Sequence, residues 1–170
     1  MFSLCACHDF DESIALHGGN TCGKDEIEII KRISSDYVIA SKIKEGGGSP
    51  CIFRKYRDEQ YENIAVLDDY IYGGGLIIEN NCVYTIVLNT MKKYDLQSDE
   101  PYPLSPEVTH LFPDSSKLYV NYLIAYDETF LYVDAYRTEP NPENKYYKVS
   151  WDGSEYSEIA KEEIPAEGKI

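Results

Sequence analysis

At 170 residues the chain is long enough for one domain with a real hydrophobic core, so neither disulfides nor metal are needed to hold it together. Thirty acidic against sixteen basic residues give a net charge of −14, and both halves carry the excess. Such a surface repels phosphate backbones and argues against nucleic acid as a partner, while the ordinary apolar content argues against wholesale disorder. Sixteen tyrosines point to half-exposed sheet faces, because tyrosine favours strands and keeps its hydroxyl wet while its ring buries.

Residues 1–7 (MFSLCAC) are small and apolar, and the chain turns polar at His8, Asp9, Asp11 and Glu12. Leu4-Cys5-Ala6-Cys7 resembles the lipobox of bacterial lipoproteins, a likeness confined to these four residues. It implies an exported chain, periplasmic and anchored to a membrane through a lipid on Cys7; the alternative is a cytoplasmic chain. Cys5, Cys7, His8, His17 and Cys22 are also enough soft ligands for a tetrahedral zinc ion. Their spacing is none of the regular zinc patterns, so no metal is expected. Residues 1–24 read as a leader or flexible N-terminus, with polar loop over 13–24; residues 25–164 read as a single β-rich domain and 165–170 as a tail.

Within that domain, residues 25–33 (DEIEIIKRI) and 37–43 (YVIASKI) read as two strands about a Ser34-Ser35-Asp36 turn. A glycine-rich turn at 45–50 leads to a third strand over 51–56. Its three consecutive glycines lack the following Lys-Ser/Thr of a phosphate loop. Arg54, Lys55 and Arg57 form the main basic cluster, read as a solvated strand edge or as a site for an anion. Further strands are expected over 61–67, 76–79 and 82–88, the last two joined by Asn80-Asn81, residues that tolerate positive φ in a tight hairpin turn. A polar–Tyr–aliphatic pattern recurs at 36–40, 69–73 and 121–125, as stacked meanders or propeller blades would produce.

Residues 90–113 contain Pro101, Pro103, Pro106 and Pro113 and read as the longest irregular stretch, with one helical turn from Ser105. Long loops in compact domains often carry function, which makes this stretch a candidate binding loop. Residues 117–137 (KLYVNYLIAYDETFLYVDAYR) form the clearest β-hairpin, with Phe130, Tyr132, Asp134 and Tyr136 on one face and Leu131, Val133 and Ala135 on the other. A turn-rich loop follows at 138–144, then a strand over 145–151 ended by Asp152-Gly153, and a last pairing near Ile159. The expected fold class is all-β or mainly β: an antiparallel meander sandwich, partial barrel or propeller-like arrangement.

No catalytic motif appears. The three histidines, His8, His17 and His110, stand in no nucleophile–base pattern. The carboxylates are too numerous for any pair to be diagnostic, and Asp9-x-Asp11-Glu12 and Asp127-Glu128 do not continue into a calcium loop. A non-enzymatic binding domain without cofactor is therefore expected, and a cationic protein is the partner that opposite fields favour. In acidity, size and lack of catalytic residues the chain resembles immunity proteins that neutralise bacterial toxins, a resemblance of type. It implies contact residues on the two loops: Tyr94, Asp99, Glu100, Tyr102, Glu107 and His110 on one side, Tyr126, Asp127, Glu128, Tyr136 and Glu139 on the other. The alternatives are a sugar- or cell-wall-binding module that uses tyrosines as stacking platforms, and an enzyme of unfamiliar type using carboxylates. Cys51 and Cys82 open similar strands and are either bridged or buried thiols.

Overall fold

A computed structural model describes residues 21–43, 49–57, 60–67 and 75–166. Cys5, Cys7, His8, His17, most of the turn expected at 45–50 and the 69–73 repeat lie outside these residues. The fold is mainly β, with 60 % of the described residues in strands; the sheets are antiparallel and one of them curls into a half-barrel. Thirteen strands are described: β1 (Thr21–Gly23), β2 (Ile27–Arg32), β3 (Tyr37–Lys42), β4 (Cys51–Arg57), β5 (Gln60–Val66), β6 (Leu76–Glu79), β7 (Cys82–Val87), β8 (Thr90–Asp95), β9 (Glu107–His110), β10 (Leu118–Tyr126), β11 (Phe130–Arg137), β12 (Glu143–Ser150) and β13 (Tyr156–Ile159). They form a five-stranded sheet in the order β1-β5-β4-β3-β2 and two four-stranded meanders, β6-β7-β8-β9 and β10-β11-β12-β13. The chain divides into two compact units, Met1–Val66 with Ser98–Ser105, and Leu67–Gln97 with Pro106–Ile170.

The first unit contains the five-stranded sheet. Alternation places Val38 and Ala40 of β3, Cys51 and Phe53 of β4, Tyr61 of β5 and Ile27 of β2 in one cluster of buried side chains. The strand expected at 25–33 begins only at Ile27, because Lys24–Glu26 form a single 3-10 turn, with the Glu26 carboxylate accepting the Gly23 N–H at 2.9 Å. Two expectations are corrected here. Thr21–Gly23, read as polar loop, pairs with β5 from Thr21↔Glu62 to Gly23↔Gln60. The basic cluster is not on an edge: β4 lies between β3 and β5, so the Arg54 side chain projects from an interior strand.

The second unit holds both meanders, which share one core. Ile77, Ile86 and Met91 come from the β6–β9 sheet; Leu118, Val120, Leu131, Val133, Ala135, Tyr147 and Val149 come from the β10–β13 sheet; Leu111 and Phe112 come from the link between them. Each fully buried aliphatic side chain of this kind contributes roughly 1.5–3 kcal/mol. The two sheets also meet through backbone, where the Val120 N–H donates to the Leu88 carbonyl at 2.8 Å. Asn80 and Asn81 both take positive φ, 52° and 58°, and close the β6–β7 hairpin in two residues, the geometry that matches strand twist.

Residues 90–113 are the main departure from expectation. Thr90–Asp95 pairs along its length with β7, and Glu107–His110 pairs with β8 where a helical turn was expected. The prolines fall between these strands or beyond them, at 101, 103, 106 and 113, so no ladder bond is lost. The 117–137 hairpin forms as read, with Leu131, Val133 and Ala135 in the core. β12 begins at Glu143, inside the stretch expected to be loop, and Ile159 pairs with Tyr146. Among the described residues Cys22, Cys51 and Cys82 form no disulfide.

Candidate functional site

In the second unit the two sheets part at one end into an open groove of about 670 Å³. One wall is the end of the β6–β9 sheet's inner face: Glu79, Tyr84, Lys93, Glu107 and Thr109, one residue or more from each strand. Period-two alternation explains the set, since Ile77, Ile86 and Met91 of the same face run into the core while these side chains sit beyond it. The other wall comes from two turns of the β10–β13 sheet, with Asp127 and Glu128 between β10 and β11 and Trp151 and Asp152 after β12. Trp151 is set edge-on to Tyr84 at 5.2 Å and to Tyr126 at 5.7 Å between ring centroids. Its indole N–H donates to the Asp127 carbonyl at 2.9 Å, tying one turn to the other.

Among the described residues five carboxylates thus line the groove with a single cation, Lys93, whose ammonium lies 2.9 Å from Glu107. They are not equivalent. One Asp127 oxygen accepts the Thr129 and Phe130 N–H groups, each at 2.8 Å, and the other accepts the Tyr132 hydroxyl at 2.8 Å. Burial pulls this carboxyl upward, but the three donors outweigh it and hold it below its ordinary value. In turn, burial and the Asp127 charge push the Tyr132 hydroxyl up to about 12. Asp152 accepts the Ser154 N–H and the hydroxyls of Ser150 and Ser154, which lower it to about 2. Both are turn-locking aspartates kept ionised by local donors. Glu107 is neutralised by Lys93, and Glu128 stands exposed at the rim.

Of the expected contact residues the groove gathers Glu107, Asp127 and Glu128. Two of the expected contact residues are buried. Tyr94 is 2 % exposed, because alternation along β8 turns it to the sheet face opposite Lys93; Tyr126 is 6 % exposed and packs in the shared core. His110 and Glu139 are exposed but line no part of the groove, and Tyr136 faces outward, across the ladder from Tyr119. Asp99, Glu100 and Tyr102 belong to the first unit. The first two are exposed, whereas the Tyr102 ring carries the Arg54 guanidinium 5.1 Å from its centroid. Arg54 in turn bonds the buried Glu62 at 2.7 Å, so this basic side chain already has its anion.

Glu79, Tyr84, Trp151 and Asp152 were not singled out from sequence. The one tryptophan beside an Asp-Gly turn was the available signal for half of them. Among the described residues no group of three or more His, Cys, Asp or Glu side chains is placed to hold a metal ion. No helix among them is long and apolar enough to cross a membrane. No family model matches the chain, nor does any curated protein or solved structure.

Proposed function

We propose that this protein is a non-enzymatic binding domain that docks a cationic protein partner and blocks it, in the manner of an immunity protein facing a toxin. The observation that carries the reading is the groove, in which, among the described residues, carboxylates outnumber cations five to one around an aromatic pair. Lysine and arginine side chains suit such a place, because carboxylates supply charge and ring faces add cation–π attraction. The groove's aspartates favour this over acid catalysis: Asp127 and Asp152 are both held ionised, and a general acid needs a carboxyl raised toward neutral pH. Net charge of −14 would steer such a partner from a distance. We further place the chain in the periplasm, with a lipid on Cys7; intact mass of the chain from native membranes tests this, and an unmodified Cys7 would overturn it.

Binding of cationic proteins at about 0.01 M and about 1 M ionic strength, where the Debye length is about 30 and 3 Å, tests the docking reading. Affinity is expected to fall steeply with salt and to drop at least tenfold in Glu128→Lys. Affinity indifferent to both would overturn it. The Trp151–Tyr84 pair also favours a second reading, a sugar stacked in the groove, whose affinity would hardly depend on salt.

A further inference from the structure

The β6–β9 sheet ends on β9, and two side chains of this edge strand, Glu107 and Thr109, line the groove. The ladder fixes which backbone groups that side offers. The Leu111 N–H donates to the Asn89 carbonyl at 2.8 Å, in register with Thr90↔His110 and Met91↔Thr109. Asn89 and Leu111 are therefore a hydrogen-bonded pair, and pairs of this kind alternate along an antiparallel ladder. Thr109 and Glu107 point their N–H and C=O groups at β8. Val108 and His110 point theirs away. Val108 is 54 % exposed, and among the described residues nothing accepts its N–H or donates to its carbonyl. At the far end Gly153 lies against the His110 carbonyl oxygen, so the open stretch is centred on Val108.

We propose that an extended cationic segment of the partner adds to β9 as a fifth strand, sending alternate side chains into the acidic groove. Backbone pairing at an open edge is a common mode of peptide capture. Here the side-chain period of two does the rest. A segment hydrogen-bonded to Val108 sets the residues on either side of that pairing on the face shared by Glu107 and Thr109, which is the groove face. Charge complementarity selects the occupant: those residues enter a space lined by Glu79, Glu107, Glu128 and two ionised aspartates. A four-residue edge offers few hydrogen bonds, so it resists pairing with neutral strands, and the cations supply what the short ladder lacks.

This inference rests on the groove's being the cation site, and the test separates the two. The probes are an end-capped peptide of about ten residues alternating arginine and threonine, and two versions N-methylated at alternate amides, one set on each edge. Fluorescence of Trp151, the chain's one tryptophan, reports groove occupancy. Amide hydrogen exchange at Val108 reports strand addition. The expected result is that the parent peptide binds, one methylated version binds at least tenfold more weakly, and exchange at Val108 slows at least tenfold in the complex. If all three peptides bind alike and Val108 exchange is unchanged, strand addition is overturned and the groove reading stands. If no peptide perturbs Trp151 at low salt, both fall. Glu107→Lys should weaken all the peptides together without altering the ratio between them.

Discussion

Glu62 in the first unit and Glu128 in the second are the same side chain in opposite circumstances. Glu62 is 1 % exposed, held within the sheet, and answered by Arg54 at 2.7 Å with the Tyr102 ring stacked on the guanidinium. Glu128 stands exposed on a turn at the mouth of a groove where Lys93 is already paired with another carboxylate. A buried carboxylate must have its partner or the fold fails, whereas a rim carboxylate contributes little to folding and keeps its charge for a ligand. The first kind is structure and the second is a surface for binding. Substitutions that invert these roles measure how far the distinction holds.

The largest effect should come from Arg54→Ala, which leaves the buried Glu62 without its cation. A loss of about 4 kcal/mol is expected by urea unfolding, with Glu62→Gln in the same background recovering most of it. A loss under about 1 kcal/mol would mean that Glu62 finds another partner. Next is Gly153→Ala. Gly153 has φ of 69° and its backbone lies against the His110 carbonyl oxygen, so an added Cβ meets both torsional strain and overlap. About 3 kcal/mol should be lost, read as a lowered melting temperature. Asp127→Ala removes the acceptor of two amides and one hydroxyl and should cost about 2 kcal/mol. It should also shift Trp151 emission, because the indole N–H is bonded to the backbone of that turn.

What the sequence made legible follows the same division. Local rules were readable: Asn80-Asn81 for a two-residue turn, alternation over 130–136, and Asp152-Gly153 as a strand end. Tertiary decisions were not. Tyr94 and Tyr126 looked like contact residues because a tyrosine suits core and surface equally, and only tertiary packing buries these two. β8 and β9 were hidden because Lys92, Lys93 and the prolines near them read as loop, although Met91 and Tyr94 bury on alternate faces. β1 is three residues long, too short for any period to show. Glu62 gave no sign of burial, since its partner is eight residues back on the neighbouring strand. The groove needed Glu79, Glu107, Asp127 and Asp152 from four separate places in the chain, and the turns carrying the two aspartates meet through the Trp151 indole. Three of its residues were nonetheless foreseen from the composition of the loops.

Acid titration sharpens the comparison from the groove's side. Asp152 falls from 3.8 to about 2 in the folded chain, so the folded form binds its proton less readily than the unfolded form does. Its contribution to stability is complete above the ordinary value and is lost as pH falls from about 3.8 through about 2. Asp127, also lowered, acts in the same direction. Unfolding midpoints should decline over that interval, and Asp152→Asn should flatten part of the decline. An unchanged slope in this variant would show that the serine donors do not favour the ionised form.

The smallest effect on folding, and the most telling, belongs to Glu128→Gln. Exposed on a turn, its carboxylate should change stability by no more than about 0.5 kcal/mol. If rim carboxylates repel one another, the neutral variant should if anything gain slightly, since five of them face one lysine across the groove. Affinity for a cationic peptide should fall about threefold at low salt and converge with that of the unaltered chain near 1 M, where charges are screened beyond about 3 Å. Arg54→Ala should do the reverse, lowering stability while leaving affinity per folded molecule unchanged. Should Glu128→Gln unfold the chain instead, or leave low-salt affinity untouched, the division between charges that build the fold and charges held for a partner would be lost.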